Sequence, residues 1–208
     1  LFNGQAEFVK PNPRYGDMQY DFSPGQVFLV VTDADIARTA TWTNGSGDRL
    51  WNMASQNWDL SGNPAPGLQG WFKAGDDVVL AGAGQGEVYV DASGVAPNNM
   101  TVSDGGYFFT GGPVNGVNLS LTGGETIVDN HFNFSRAMTV GKGATLGVTA
   151  RGNLSPGSVG PDSSFTLQSG GKLLLEPMDT AHVLRSGKIV FEQGSLVGLT
   201  HFGYGPAL

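Results

Sequence analysis

Four tryptophans, Trp42, Trp51, Trp58 and Trp71, fall within 30 residues, and the chain has no other. Flat aromatic faces stack on pyranose rings in water, so the group reads as a glycan-contact platform. The same side chains also read as core or cap over the open end of a β-structure, and this second reading is the leading expectation. Asn52, Asn57 and Asp59 beside them are then expected to be turn formers that bond their own backbone. Asp76 and Asp77 are the most tempting carboxylates, because paired acids cleave glycosides or hold calcium. Neighbours in a strand point to opposite faces, however, so these two are expected at a turn corner rather than on one substrate.

The remaining constellations lead away from catalysis. Asp33 and Asp35 have same-face spacing but no matching Arg or Lys, and Asp48 beside Arg49 sits in a Gly-rich turn. His131, His182 and His201 are 51 and 19 residues apart; without cysteine they make no zinc site. Gly82-Ala83-Gly84-Gln85-Gly86 lacks the phosphate-loop spacing and a following helix, so a turn is expected. A G-x-S-x-G elbow is missing. The calcium nonapeptide is missing too, since Lys172 and Leu173 follow Gly170-Gly171. The sequon matches at Asn99, Asn118, Asn133 and Asn153 are expected by chance in an Asn/Ser/Thr-rich chain. No catalytic residue, cofactor or metal is therefore expected.

The elements that would carry these residues are short strands. Gly and Pro make up 44 of 208 residues, while hydrophobic residues at 39% still supply one sizeable core. Charged residues reach only 14%, so the Glu/Lys-rich surfaces of helices are missing and helices are expected to be scarce. A net charge of −7 repels phosphate backbones and anionic lipids, which sets nucleic acid and direct membrane insertion aside. No apolar run approaches a membrane span, and no export signal opens at Leu1. Zero cysteines exclude a disulfide framework and suit a chain exported unfolded.

Apolar positions alternate with period two in Val88–Val90, Met100–Val102, Leu119–Leu121, Met138–Val140, Phe165–Leu167 and Ile189–Phe191. Several of these share one pattern: apolar, Ser or Thr, apolar, small or polar residues, Gly, then a second apolar pair. It reads Met100-Thr101-Val102 to Gly106 before Tyr107, Leu119-Ser120-Leu121 to Gly124 before Ile127, Met138-Thr139-Val140 to Gly143 before Leu146, and Phe165-Thr166-Leu167 to Gly171 before Leu173. A shortened unit reads Val183-Leu184-Arg185-Ser186-Gly187 before Ile189-Val190-Phe191. A step of about 20 residues is too short for a propeller blade and fits a rung of a parallel β-helix of about seven to nine rungs. An antiparallel sandwich is the rival, but it has no need to repeat the glycine position.

Residues Trp42-Thr43-Asn44-Gly45, Leu50-Trp51-Asn52, Asn57-Trp58-Asp59, Gly75-Asp76-Asp77-Val78-Val79-Leu80 and Pro97-Asn98-Asn99-Met100-Thr101-Val102 resemble the passenger-associated repeat of bacterial autotransporters. Met18–Phe22 and Val27–Val31 resemble the closing strands of a preceding passenger unit. The resemblance covers about half of the chain. It implies an all-β, right-handed parallel β-helix on the cell surface or released from it, exported through the periplasm and an outer-membrane barrel. The implied division is 1–41 as closing strands, 42–137 as passenger-associated repeat rungs and 138–208 as C-terminal rungs, in one solenoid over 1–208. Rungs from Met138 onward are expected to nucleate folding, and the missing polar cap after Phe202 suggests that the natural chain runs past Leu208.

The expected function is a non-enzymatic structural and adhesive stalk whose partners are a host or bacterial surface glycan or protein, or a second copy. Three alternatives remain: a polysaccharide lyase or hydrolase, a glycan-binding module using Trp42, Trp51, Trp58 and Trp71, and a trimeric phage fibre segment.

Overall fold

The computed structural model describes residues 18–23, 26–31, 38–61, 70–155, 162–177 and 186–202. Two compact units divide the chain after Ala37. In the first, β1 (Met18–Ser23) and β2 (Gln26–Val31) pair antiparallel with each other.

The second unit begins with β3 (Thr39–Trp42), β4 (Leu50–Trp51), β5 (Trp58–Ser61), β6 (Asp77–Ala81), β7 (Gly86–Val90), β8 (Asn99–Asp104) and β9 (Tyr107–Gly111). It continues with β10 (Val114–Leu121), β11 (Gly124–Val128), β12 (His131–Val140), β13 (Ala144–Val148) and β14 (Asn153–Ser155). The last four strands are β15 (Ser164–Leu167), β16 (Lys172–Leu175), β17 (Lys188–Phe191) and β18 (Leu196–Leu199). No helix occurs among the described residues.

Odd and even partners of the repeat separate into two sheets. One runs β17-β15-β12-β10-β8-β6-β3 with β5 at its end, and the other runs β18-β16-β13-β11-β9-β7-β4. Every neighbour pair in these ladders is parallel except β3 with β5. Parallel neighbours separated by about 20 residues, two per repeat, define a parallel β-solenoid. A short third flank forms where Val95 bridges Val114, the first half of β10 pairs with that of β12, and β14 adds to β12. Beyond the register shifts after Gly116 and Phe134, the same two strands continue in the first sheet.

The registers explain the repeated pattern. On the first sheet, Val78, Met100, Leu119, Met138 and Phe165 lie on one line, and Leu80, Val102, Leu121, Val140 and Leu167 on the next. All ten are buried. Between these columns Val79, Thr101, Ser120, Thr139 and Thr166 face outward on a third line, where β-branched and small polar residues suit a half-exposed pleat. Sheet two stacks Phe109, Val128, Val148 and Leu175. Each rung's apolar pair is covered by the rungs above and below it, so a rung has no core of its own.

The glycines sit at the corner between the two sheets. Gly106, Gly124, Gly143, Gly170 and Gly194 hold φ values of 94°, 63°, 79°, 76° and 87°, a region open to Gly without steric cost. This corrects the reading of the last unit. Ile189-Val190-Phe191 does not follow a corner glycine at Gly187; it pairs with Phe165-Thr166-Leu167 as the strand before the corner. Gly194 is that corner, and Leu196–Leu199 is the strand after it. Val190 replaces the Ser or Thr of the other units, which hid the match.

The register makes a direct prediction. Leu121→Ala, at a fully buried column position, is expected to cost about 2–5 kcal/mol. Ser120→Ala, on the outward line, is expected to stay within about 0.5 kcal/mol. Urea unfolding of the two variants measures the contrast, and similar losses in both would refute the inward/outward assignment.

Candidate functional site

The tryptophan cluster occupies the N-terminal end of the stack. β5 turns back antiparallel on β3 and places Trp58 opposite Trp42, with ring centroids 4.9 Å apart and nearly perpendicular. Trp51 lies 5.2 Å from Trp58 and 5.5 Å from Phe72. From there an aromatic line continues through Phe109 and Phe132 to Phe134. Edge-to-face contacts at such distances add stability beyond the area they bury. Trp42 and Trp51 are 0% exposed and Trp58 is 3% exposed. These three rings therefore present no face to a sugar, which corrects the glycan-contact reading for Trp42, Trp51 and Trp58. Trp71 is half-buried and keeps part of its surface in solvent.

The cap is locked by specific polar contacts. Trp42 Nε1 donates to the Gly84 carbonyl at 3.0 Å. A Cβ at Gly84 would stand 2.9 Å from that nitrogen and from the Thr43 carbonyl, at a φ of 59°, so the Gly82–Gly86 turn contributes close approach to the cap. Trp51 and Trp58 bury their indole nitrogens without an acceptor; ring packing must outweigh that desolvation cost.

Asn57, fully buried, organises the loop between β3 and β5. Its Oδ1 accepts from the Ser46 backbone N–H and hydroxyl, and its Nδ2 donates to Asp48 and to the Leu50 carbonyl. Its backbone carbonyl accepts from Thr43 and Asn44. Asn57 thus reaches across the loop instead of bonding its own backbone. Asn52 does form the expected local turn, accepting from Ala54 and Ser55.

Each acidic candidate is held in structure. Asp76 accepts two bonds from Arg38, at 3.0 and 2.7 Å, and one from the Lys73 backbone N–H. Asp77 accepts from Asn98 and from the backbone and side chain of Asn99, and Asn118 then donates to Asn99. The two carboxylates serve different neighbours, as strand alternation requires. Arg38 as the partner of Asp76 was missed from sequence, because 38 residues separate them. His201 lies 2.6 Å from Glu176, and His131 is exposed. Asp33, Asp35 and His182 lie outside the described residues. Among the described residues no group of three His, Cys, Asp or Glu side chains is placed to share a metal ion.

Among the described residues three groups have displaced titrations. Burial acts to raise the Asp48 carboxyl, but hydrogen bonds from Leu50 N–H, Ser55, Asn57 and Ser46 outweigh it and bring it down to about 2. The Ser93 hydroxyl and N–H lower Asp91. Burial raises the Tyr107 phenol, which accepts from Gly82 N–H and donates to the Ala83 carbonyl. None is poised near neutral pH as an acid or base. Beside the cap lies an open groove of about 480 Å³ bounded by Asn52, Met53, Phe72, Asp91, Ser93 and Asn115. Among its described lining residues the one titratable group, Asp91, is committed to Ser93.

In comparisons with known proteins, the chain matches no protein-family model, no curated protein and no solved structure.

Two measurements check the cap. With its folded value near 2 below an ordinary carboxylate near 3.9, Asp48 contributes stability that is complete above about pH 4 and is lost as pH falls through about 2. Asp48→Asn should therefore lower the melting temperature at pH 7, with the gap to wild type closing by pH 2. In acrylamide quenching, Trp71→Phe should remove the readily quenched emission, while Trp42, Trp51 and Trp58 stay shielded. Ready quenching that survives Trp71→Phe would contradict the cap.

Proposed function

We propose that this chain is a non-enzymatic structural and adhesive stalk segment of a bacterial autotransporter passenger, displayed on the cell surface or secreted. The observation that carries this reading is the use of its polar groups. Arg38–Asp76, the Asp77–Asn99–Asn118 ladder, Asn115–Asn133 and Thr149–Asp129 all tie one rung to another. Side chains spent on rung-to-rung bonds stiffen the stack. Each rung adds onto the one before it, which suits a chain that emerges unfolded and folds as it crosses an outer membrane. The resemblance of the Trp42–Val102 segment to the passenger-associated repeat supplies the bacterial surface setting.

Adhesive contact, on this reading, falls to the loops rather than to the buried rings. The groove at Asn52, Met53 and Asp91 is the best-shaped surface for a glycan or protein, and Met53 is 68% exposed. The test is incubation with bacterial, plant and host polysaccharides, scoring both product release and retention on the immobilised glycan. Retention without release is expected, weakened at least several-fold by Met53→Asp but not by Trp58→Phe. Release of reducing-end or unsaturated products would overturn the structural reading. Absence of both signals would remove glycan adhesion from it and leave the scaffold alone.

A further inference from the structure

The groove beside the cap is lined by the turns that follow β4 and β7, and the registers say which side chains meet there. Trp51 pairs with Val90, so Asn52 and Asp91 follow as neighbours on adjacent rungs. Val95 bridges Val114, which sets Asn115 beside Ala96. Neighbouring strands lie about 4.8 Å apart, so one small polar group can reach side chains on both. Each of the three polar side chains has one atom committed to the scaffold. Asn52 Oδ1 accepts from the Ala54 and Ser55 N–H groups. Asp91 Oδ1 accepts from the Ser93 N–H and hydroxyl, and Asn115 Oδ1 accepts from Asn133 in the following rung. An amide carries its oxygen and nitrogen on opposite sides, so Asn115 Nδ2 turns back toward Ala96 and the groove. What is left to offer a ligand is two amide donors, Asn52 Nδ2 and Asn115 Nδ2, and one carboxylate acceptor, Asp91 Oδ2. Asn115 is exposed and the other two are half-buried. Phe72, Ala96 and Met53 supply the apolar lining.

We propose that this groove binds a neutral glycan through its hydroxyl groups. A hydroxyl donates one hydrogen bond and accepts others. Seated between Asn52 and Asp91, a sugar hydroxyl accepts from the amide and donates to the carboxylate, and a second hydroxyl of the same glycan accepts from Asn115. The C–H faces of the ring then lie on the apolar lining, where Met53, 68% exposed, is flexible enough to follow them. The volume of about 480 Å³ is of the size that small-ligand sites have.

Charge and backbone pairing choose among ligands. The Asp91 carboxylate, on a chain of net charge −7, repels uronates, sialates and sulfated sugars. An extended peptide binds by adding to a free strand edge, whereas here the Asp91 N–H already donates to Trp51 and the Asn115 N–H to Val95. The assignment rests on the adhesive reading above and narrows its ligand from a glycan or protein to a neutral glycan.

Biolayer interferometry of the 208-residue chain in about 0.15 M salt tests it, with circular dichroism confirming that each variant is folded. One set of surfaces carries neutral polysaccharides (mannan, galactan and glucan) and another anionic ones (alginate, polygalacturonate and hyaluronan). Wild type should bind a neutral surface in preference to every anionic one. Asn52→Asp and Asp91→Asn each keep the Oδ1 bond to the scaffold and reverse the outward atom, so each should weaken that binding about tenfold. The double exchange again presents one donor and one acceptor to the hydroxyl and should bind several-fold more tightly than either single variant. Binding confined to anionic surfaces, single variants that bind like wild type, or a double variant no tighter than the singles would overturn the proposal and leave the adhesive reading standing. Equal binding to a glycoprotein before and after enzymatic deglycosylation would make protein the ligand and overturn it likewise. Binding to no surface at all would overturn it together with glycan adhesion.

Discussion

The second unit depends throughout on parallel, in-register stacking of rungs that cannot stand alone. Two inward apolar residues per strand bury a useful area only when another pair lies above and another below. The backbone hydrogen bonds follow the same rule, since each parallel strand bonds to the rungs on either side of it. Stability therefore accumulates along the stack and is weakest at its ends. The two ends of the described stack resolve this differently: one turns a strand back and fills the opening with tryptophan, and the other presents its apolar positions to solvent.

The polar chemistry is subordinate to that stacking. Asp77, Asn99 and Asn118 form a ladder because a residue repeated at one register position meets its counterpart about 4.8 Å away, within reach of a side-chain amide. Asn130 is buried and donates to the carbonyl of Gly112 in the rung beneath. Asp129, Thr149 and Arg151 make a similar link on the same flank. A solenoid thus converts sequence repetition into repeated rung-to-rung contacts, and side chains that look like catalytic candidates become structural. Asp76 and Asp77 are the clearest instance.

The two-strand repeat was legible before any coordinates because its signals are local. Alternation of Met100, Val102, Leu119, Leu121, Met138, Val140, Phe165 and Leu167 states which side faces in, and the glycine after each pair marks the corner. Ile189–Phe191 was misplaced by half a rung because a valine stood where the outward Ser or Thr was expected and Gly187 lay closer than Gly194. The hairpin of Met18–Ser23 with Gln26–Val31 was not legible as such. Two short apolar strands look the same in sequence whether they pair with each other or with distant rungs.

By itself, the sequence determined the class of structure, the inward positions and the corners, since strand alternation and the φ demanded at a tight turn are properties of a few consecutive residues. It also left the role of the four tryptophans open between platform and cap. For three of them tertiary structure decided that question by folding β5 back against β3, which buried Trp42, Trp51 and Trp58 against Phe72. It likewise decided that Arg38 neutralises Asp76 and that Asn57 ties the cap loop together. Those outcomes turn on which residues meet across 10 to 40 positions of chain, and the distance between two such residues is fixed by how the rungs stack, which no short window of sequence records.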